Sequence, residues 1–126
     1  MRVGRSYSFD MAHRLPSHSG KCNRLHGHTY TLEVEAVGPV GVGHVVIWYE
    51  ELDALVKPWI ENVDHFTVLQ ESDDVLPDGP HVVRMPYGWE PTAERLAQWL
   101  FEHLADHPMG FNLRLWETPR SWVALP

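Results

Sequence analysis

Two runs of alternating residues, each carrying histidine at one end, constrain this chain more than any other feature. From Tyr7 to His13, Tyr7, Phe9, Met11 and His13 fall on one face of an extended segment, and Ser8, Asp10 and Ala12 on the other. From His26 to Ala36, His26, His28, Tyr30, Leu32, Val34 and Ala36 share a face, with Thr29, Thr31, Glu33 and Glu35 opposite. Between them, Arg14 to Leu25 is polar and punctuated by Pro16 and Gly20, the character of a long connecting loop. The pattern predicts an antiparallel hairpin with one buried face. In a hairpin the end of one strand lies beside the start of the next, so His13, His26 and His28 converge at one end of that face.

The rest of the chain supplies what covers the hairpin. After a break at Gly38, Pro39, Gly41 and Gly43, the residues Leu52, Leu55, Val56, Trp59, Ile60 and Val63 recur at helical spacing, predicting a helix over about 50–62 that Pro58 kinks. Residues 70–90 are acidic and rich in Pro and Gly, a loop with one optional short strand at 81–85. Thr92 is a good N-cap for a second helix, with Glu94 in its first turn, Leu96, Ala97, Leu100 and Leu104 on its buried face, and His107-Pro108 with Gly110 ending it. Phe111, Leu113, Leu115 and Glu117 share a strand face, and after a turn at Thr118-Pro119-Arg120 the last strand runs from Ser121 to Leu125. The order ββααββ predicts an α+β fold, a single domain over residues 1–126 with two helices on one face of a four-stranded antiparallel sheet.

Composition narrows the function classes. With 126 residues, 44% of them hydrophobic, the chain can bury a real core, and disorder is not expected. A net charge of −7 repels a phosphate backbone, so nucleic acid is not an expected partner. Cys22 is the one cysteine, which excludes an intrachain disulfide. The first residues lack the apolar stretch of a signal peptide, and the longest apolar run, Val45 to Tyr49, is far short of the ~20 residues of a membrane span. A cytoplasmic location away from membranes is the expectation.

Three convergent neutral imidazoles around an open position are the donor set of a catalytic zinc; three unrelated histidines satisfied by hydrogen bonds are the bland alternative. Cys22, four positions before His26, has three readings: a fourth ligand that closes the site, a thiolate that acts as base or nucleophile, or an inert small side chain. Its polar company, Lys21, Asn23 and Arg24, argues against burial. Asp64 and His65 can form a carboxylate–imidazole pair for proton transfer only if an irregular turn brings adjacent side chains together; otherwise they cap the first helix. Glu117, at the end of an apolar face, can accept two hydrogen bonds from an amino-pyrimidine edge, or it is an exposed strand end. His18, His44, His81, His103 and His107 are assigned no role.

Taken in order, Phe9-Asp10-Met11-Ala12-His13-Arg14-Leu15, Lys21-Cys22-Asn23-Arg24-Leu25-His26-Gly27-His28, Val63-Asp64-His65, Pro91-Thr92-Ala93-Glu94 and Glu117-Thr118-Pro119 resemble the motifs of the 6-pyruvoyl-tetrahydropterin synthase superfamily across nearly the whole chain. The interval from Cys22 to His26 is similar to that of its 6-carboxy-tetrahydropterin synthase branch, in the queuosine and 7-deazaguanine route; the animal-type pyruvoyl enzymes have a longer one. The resemblance implies a tunnelling fold (T-fold), in which subunits join edge strands into a barrel as a homo-oligomer, a trimer or a hexamer. It implies a lyase that converts 7,8-dihydroneopterin triphosphate to 6-carboxy-tetrahydropterin, acetaldehyde and triphosphate. It also implies Zn2+ on His13, His26 and His28, Cys22 as general base, Asp64 and His65 as a proton relay, and Glu117 as the anchor of the pterin edge.

The chain departs from the family pattern in two places. Trp48-Tyr49 stands where the family has Asp-Phe before the first helix, and Leu69 where it has Asn after the Asp-His pair. Both departures spare the implied catalytic groups. Two other activities fit the same residues: formation of 6-pyruvoyl-tetrahydropterin by triphosphate elimination, and zinc-stabilised pterin binding without turnover. Lys21, Arg24 and Arg14 are candidates for the triphosphate by charge and position.

Overall fold

A computed structural model describes residues 1–126. Strands β1 (Arg2–His13) and β2 (His26–Val37) form the expected hairpin, paired in register from Arg2↔Val37 to His13↔His26. β1 starts earlier than its alternation indicates, because Arg2 to Ser6 are largely exposed and carry no apolar signal. Helices α1 (Tyr49–Glu61) and α2 (Ala93–Leu104) follow the expected spacing. Thr92 caps α2 by accepting a hydrogen bond from the Arg95 amide at 3.2 Å. That helix ends at Leu104, before the predicted stop, and His107 to Met109 lead into the next strand. Pro58 falls in the last turn of α1, which remains one helix from Tyr49 to Glu61.

The sheet differs from expectation. It has six strands and is mixed, not four-stranded and antiparallel, with the order β4-β3-β1-β2-β5-β6. β3 (Thr67–Leu69) lies parallel to β1 at Ala12↔Thr67 and His13↔Val68, and β4 (Val82–Arg84) lies parallel to β3. β5 (Gly110–Thr118) and β6 (Ser121–Leu125) complete the antiparallel half. Three-residue strands are too short for a period of two to register, and parallel pairing is made by the crossover through α1, not by any local pattern. The consequence is that β1 is an interior strand along its His13 end.

One face of the sheet is apolar and packs on both helices. Phe9, Met11, Tyr30, Leu32, Val34 and Leu115 meet Leu52, Val56 and Trp59 of α1 and Leu96, Leu100 and Leu104 of α2 in one buried cluster. Phe9 stacks on Tyr30 at 5.0 Å and meets Trp59 edge-on at 6.0 Å. Each fully buried side chain of this size contributes ~1.5–3 kcal/mol. The opposite face carries Ser8, Asp10, Thr29 and Thr31, all exposed. No helix is long and apolar enough to cross a membrane.

The two departures from the family motifs differ in burial, Trp48 being half exposed and Leu69 fully buried. Trp48 is the N-cap of α1 but makes no capping hydrogen bond; its ring lies against Gly43, whose φ of 80° and lack of Cβ leave the room. Leu69 ends β3 fully buried.

Candidate metal centre

His13 closes β1 directly opposite His26, and His28 lies opposite Met11 on the same face. The three rings stand nearly edge to face, with centroids 4.6, 5.3 and 4.9 Å apart, and one nitrogen from each lies within 4.8 Å of the others. Main-chain carbonyls set the tautomers. His13 Nδ1–H donates to the Pro91 carbonyl at 2.8 Å, and His26 Nδ1–H to the Arg24 carbonyl at 2.6 Å. That leaves the Nε2 lone pairs of His13 and His26 facing each other at 3.1 Å, with no proton to share. Around a tetrahedral ion with Zn–N bonds of 2.0–2.1 Å, neighbouring donors sit about 3.3 Å apart, so this spacing is that of two ligands. His28 Nε2 is shut off from solvent and has no hydrogen-bond partner, a buried polar atom that a bound cation would satisfy. The residues present therefore fit a zinc-type cation.

Electrostatics agree with the geometry. Burial lowers the pKa of His13 from 6.5 to about 4, so the ring is neutral and able to ligate at pH 7. Burial likewise lowers that of His28, against the opposing pull of Glu117. The Tyr30 hydroxyl lies 3.5 Å from His13 Nδ1, and burial holds that phenol in its protonated form.

Glu117 is where its strand pattern places it. Its Oε1 is 3.5 Å from His28 Nε2, and with Thr29, Thr31, Glu33 and Trp116 it lines a cavity of about 550 Å³ beside the imidazoles. Cys22 is half-buried in a single 3-10 turn, Lys21–Asn23, and its sulfur stands outside the histidine cluster, so the fourth-ligand reading does not describe this arrangement. Arg14, a triphosphate candidate by charge, gives its guanidinium Nε to the buried Asp73 carboxylate at 2.7 Å. Lys21 and Arg24 make no ion pair.

Asp64 and His65 meet through the irregular turn that adjacency requires. His65 has a φ of 64°, a left-handed conformation that costs ~1 kcal/mol or more in a residue with a Cβ. Its amide donates to the Asp10 carbonyl at 2.6 Å, and its Nδ1 lies 2.9 Å from Asp64 Oδ1. The helix-end reading holds as well, since the Asp64 amide still donates to the Ile60 carbonyl at 2.8 Å. Asp10 was not picked out by the sequence. Its carboxylate lies 4.0 Å from His65 Nε2 and accepts the Thr29 hydroxyl, while its amide donates to Asp64 Oδ1. The available signal was the hairpin register, which pairs Asp10 with Thr29. Asp10, Thr29 and His65 line a cavity of about 420 Å³ together with His28, so His28 borders both hollows. His18 and His107 accept local hydrogen bonds, His103 Nε2 meets the Leu55 carbonyl of α1 at 3.0 Å, and His44 and His81 are exposed.

A family model described as 6-pyruvoyl tetrahydropterin synthase matches residues 2–126. A 6-carboxy-5,6,7,8-tetrahydropterin synthase of Haemophilus influenzae is 33% identical over 96% of this chain and 95% of its own. One from Rickettsia bellii is 33% identical over 98% of each. The solved 6-pyruvoyl tetrahydropterin synthase of Plasmodium falciparum superposes with a TM-score of 0.79 at 19% identity, covering 99% of this chain and 96% of that one.

Proposed function

The chain belongs to the 6-pyruvoyl tetrahydropterin synthase family, and on that premise we propose that it is a zinc-dependent 6-carboxy-5,6,7,8-tetrahydropterin synthase. Its substrate is 7,8-dihydroneopterin triphosphate, its products are 6-carboxy-tetrahydropterin, acetaldehyde and triphosphate, and its place is the queuosine and 7-deazaguanine route. One observation carries the reading: the Nε2 atoms of His13 and His26 face each other as enforced acceptors, with a ring nitrogen of His28 within 4.8 Å of them. The names of the relatives and the short interval from Cys22 to His26 favour the carboxy branch.

Zinc bound by His13, His26 and His28 supplies Lewis acidity toward the hydroxyls of the substrate side chain. Glu117 offers two carboxylate oxygens to the amino-pyrimidine edge and orients the ring beside the imidazoles. Cys22, free of the histidine cluster, accepts a proton at Sγ. His65 carries a proton at Nε2, with the Asp64 carboxylate 2.9 Å from its Nδ1 to stabilise the charged ring. Residues 1–126 act as one domain in a homo-oligomer, a trimer or a hexamer, whose subunits join at β4 and β6, the two free edges of the sheet.

The test is to incubate the purified, zinc-loaded protein with 7,8-dihydroneopterin triphosphate and weigh the pterin product. A 6-carboxy product with acetaldehyde is expected. A 6-pyruvoyl product moves the protein to the elimination branch, and no turnover by zinc-replete protein leaves a pocket that only binds.

A further inference from the structure

The loop that carries Cys22, residues 14–25, contains no buried residue, and its backbone hydrogen bonds are all internal: Leu15 to Cys22, His18 to Leu15, Asn23 to Gly20 and Arg24 to Lys21. Beyond the two strands that it joins, two side-chain bonds tie it down. Arg14 at its root holds Asp73, and near its tip the Ser17 amide donates to Glu90 Oε1 at 2.6 Å. The second tie has a direct line to the thiol. The Pro16–Ser17 peptide gives its N–H to Glu90 and its carbonyl to Asn23 Nδ2 at 2.9 Å, and Asn23 is the neighbour of Cys22. A peptide group gripped at both ends is polarised along the chain of bonds, each strengthening the other.

Glu90 is also well placed to act as a fixed point. Pro91 restricts it to an extended conformation, and its own carbonyl accepts from the Thr92 amide at 2.8 Å as α2 begins. The next carbonyl, Pro91, is the one that orients His13. Adjacent residues of one segment thus hold the buried imidazole by main chain and the thiol loop by side chain.

We propose that Glu90 is a positioning residue for Cys22: its carboxylate, through the Pro16–Ser17 peptide and Asn23, fixes where the thiol stands relative to the three histidines. The positioning stands on geometry; only its effect on turnover rests on Cys22 being the base.

Because Cys22 is the one cysteine, its alkylation by iodoacetamide reads the loop without interference. In Glu90→Ala the loop opens more often and alkylation of the metal-free protein rises by about tenfold, the change expected for loss of one charge-assisted hydrogen bond. Glu90→Gln keeps the acceptor oxygen and returns the rate to within about twofold of wild type. Zinc affinity, read by competition with a chromophoric chelator, is unchanged in both, because the Pro91 carbonyl remains. Glu90→Asp, one methylene short of Ser17, replaces Glu90→Ala if the alanine variant fails to fold. A rate unchanged in Glu90→Ala, a Gln variant as fast as the alanine variant, or joint loss of zinc binding overturns the proposal. In the turnover assay Glu90→Ala lowers kcat while KM stays within about twofold, the signature of a misplaced base. A wild-type protein without turnover defeats the function proposed above and leaves the alkylation comparison to decide the role of Glu90.

Discussion

Acidifying the metal-free protein exposes the cost of keeping His13 uncharged. In the unfolded chain this imidazole takes up a proton near pH 6.5; in the folded protein, buried against Tyr30 and the Pro91 carbonyl, it does so only near pH 4. Between those values the unfolded state binds more protons, so stability is fully present above pH 6.5, falls as the pH drops, and levels off below 4. At about 1.4 kcal/mol per pH unit, the interval corresponds to about 3 kcal/mol from His13 alone. That is a large share of the ~5–15 kcal/mol by which a domain of this size is stable. His28, lowered by burial in the same direction, adds to the loss. The assay is urea unfolding followed by tryptophan fluorescence at several pH values, on wild type and on His13→Gln, which does not titrate but can still donate to Pro91. The difference between the two curves cancels the carboxylates they share. Wild type is expected to lose about 3 kcal/mol more than the variant between pH 6.5 and 4. Parallel curves would refute the claim that His13 is held neutral by burial.

Cys22→Ala is expected to abolish turnover while zinc remains bound, checked by product mass and metal analysis; full activity in that variant refutes the base assignment. Thr92→Ala, which removes the cap of α2, lowers stability by ~1 kcal/mol in denaturant unfolding and leaves zinc affinity unchanged. Leu69→Asn, which restores the family residue, costs ~3 kcal/mol, because an amide without partners replaces a fully buried apolar side chain. A neutral result there shows that the site at the end of β3 supplies partners for an amide.

The hairpin and its three histidines were legible because both depend on a local signal, the period of two, and because a hairpin's register follows from its ends. The start of α2 was equally plain, since Thr92 and Pro91 act within a single turn. β3 was not legible, and β4 only as the optional short strand at 81–85: their parallel pairing in the sheet is not a local signal, and three residues carry no periodicity. Asp64 and His65 stood out as a pair, but their neighbour Asp10 did not. Its contact depends on where the chain returns after α1 and on a left-handed turn that histidine does not announce. Glu90 was silent for the same reason, being separated from Ser17 by 73 positions.

The bond from His13 to Pro91 spans 78 positions, and that distance gives metal capture a timetable. His26 and His28 belong to one strand and are in place as soon as β2 is extended. His13 joins them when the hairpin closes, but its ring is turned to ligate only once the segment leading into α2 has docked, a late event because long loops close against chain entropy. An ion present during folding therefore meets two nitrogens first and three last, and its rate of escape falls at the final step. How tightly the growing chain retains the ion is a clock for how much of its sheet and helices has assembled.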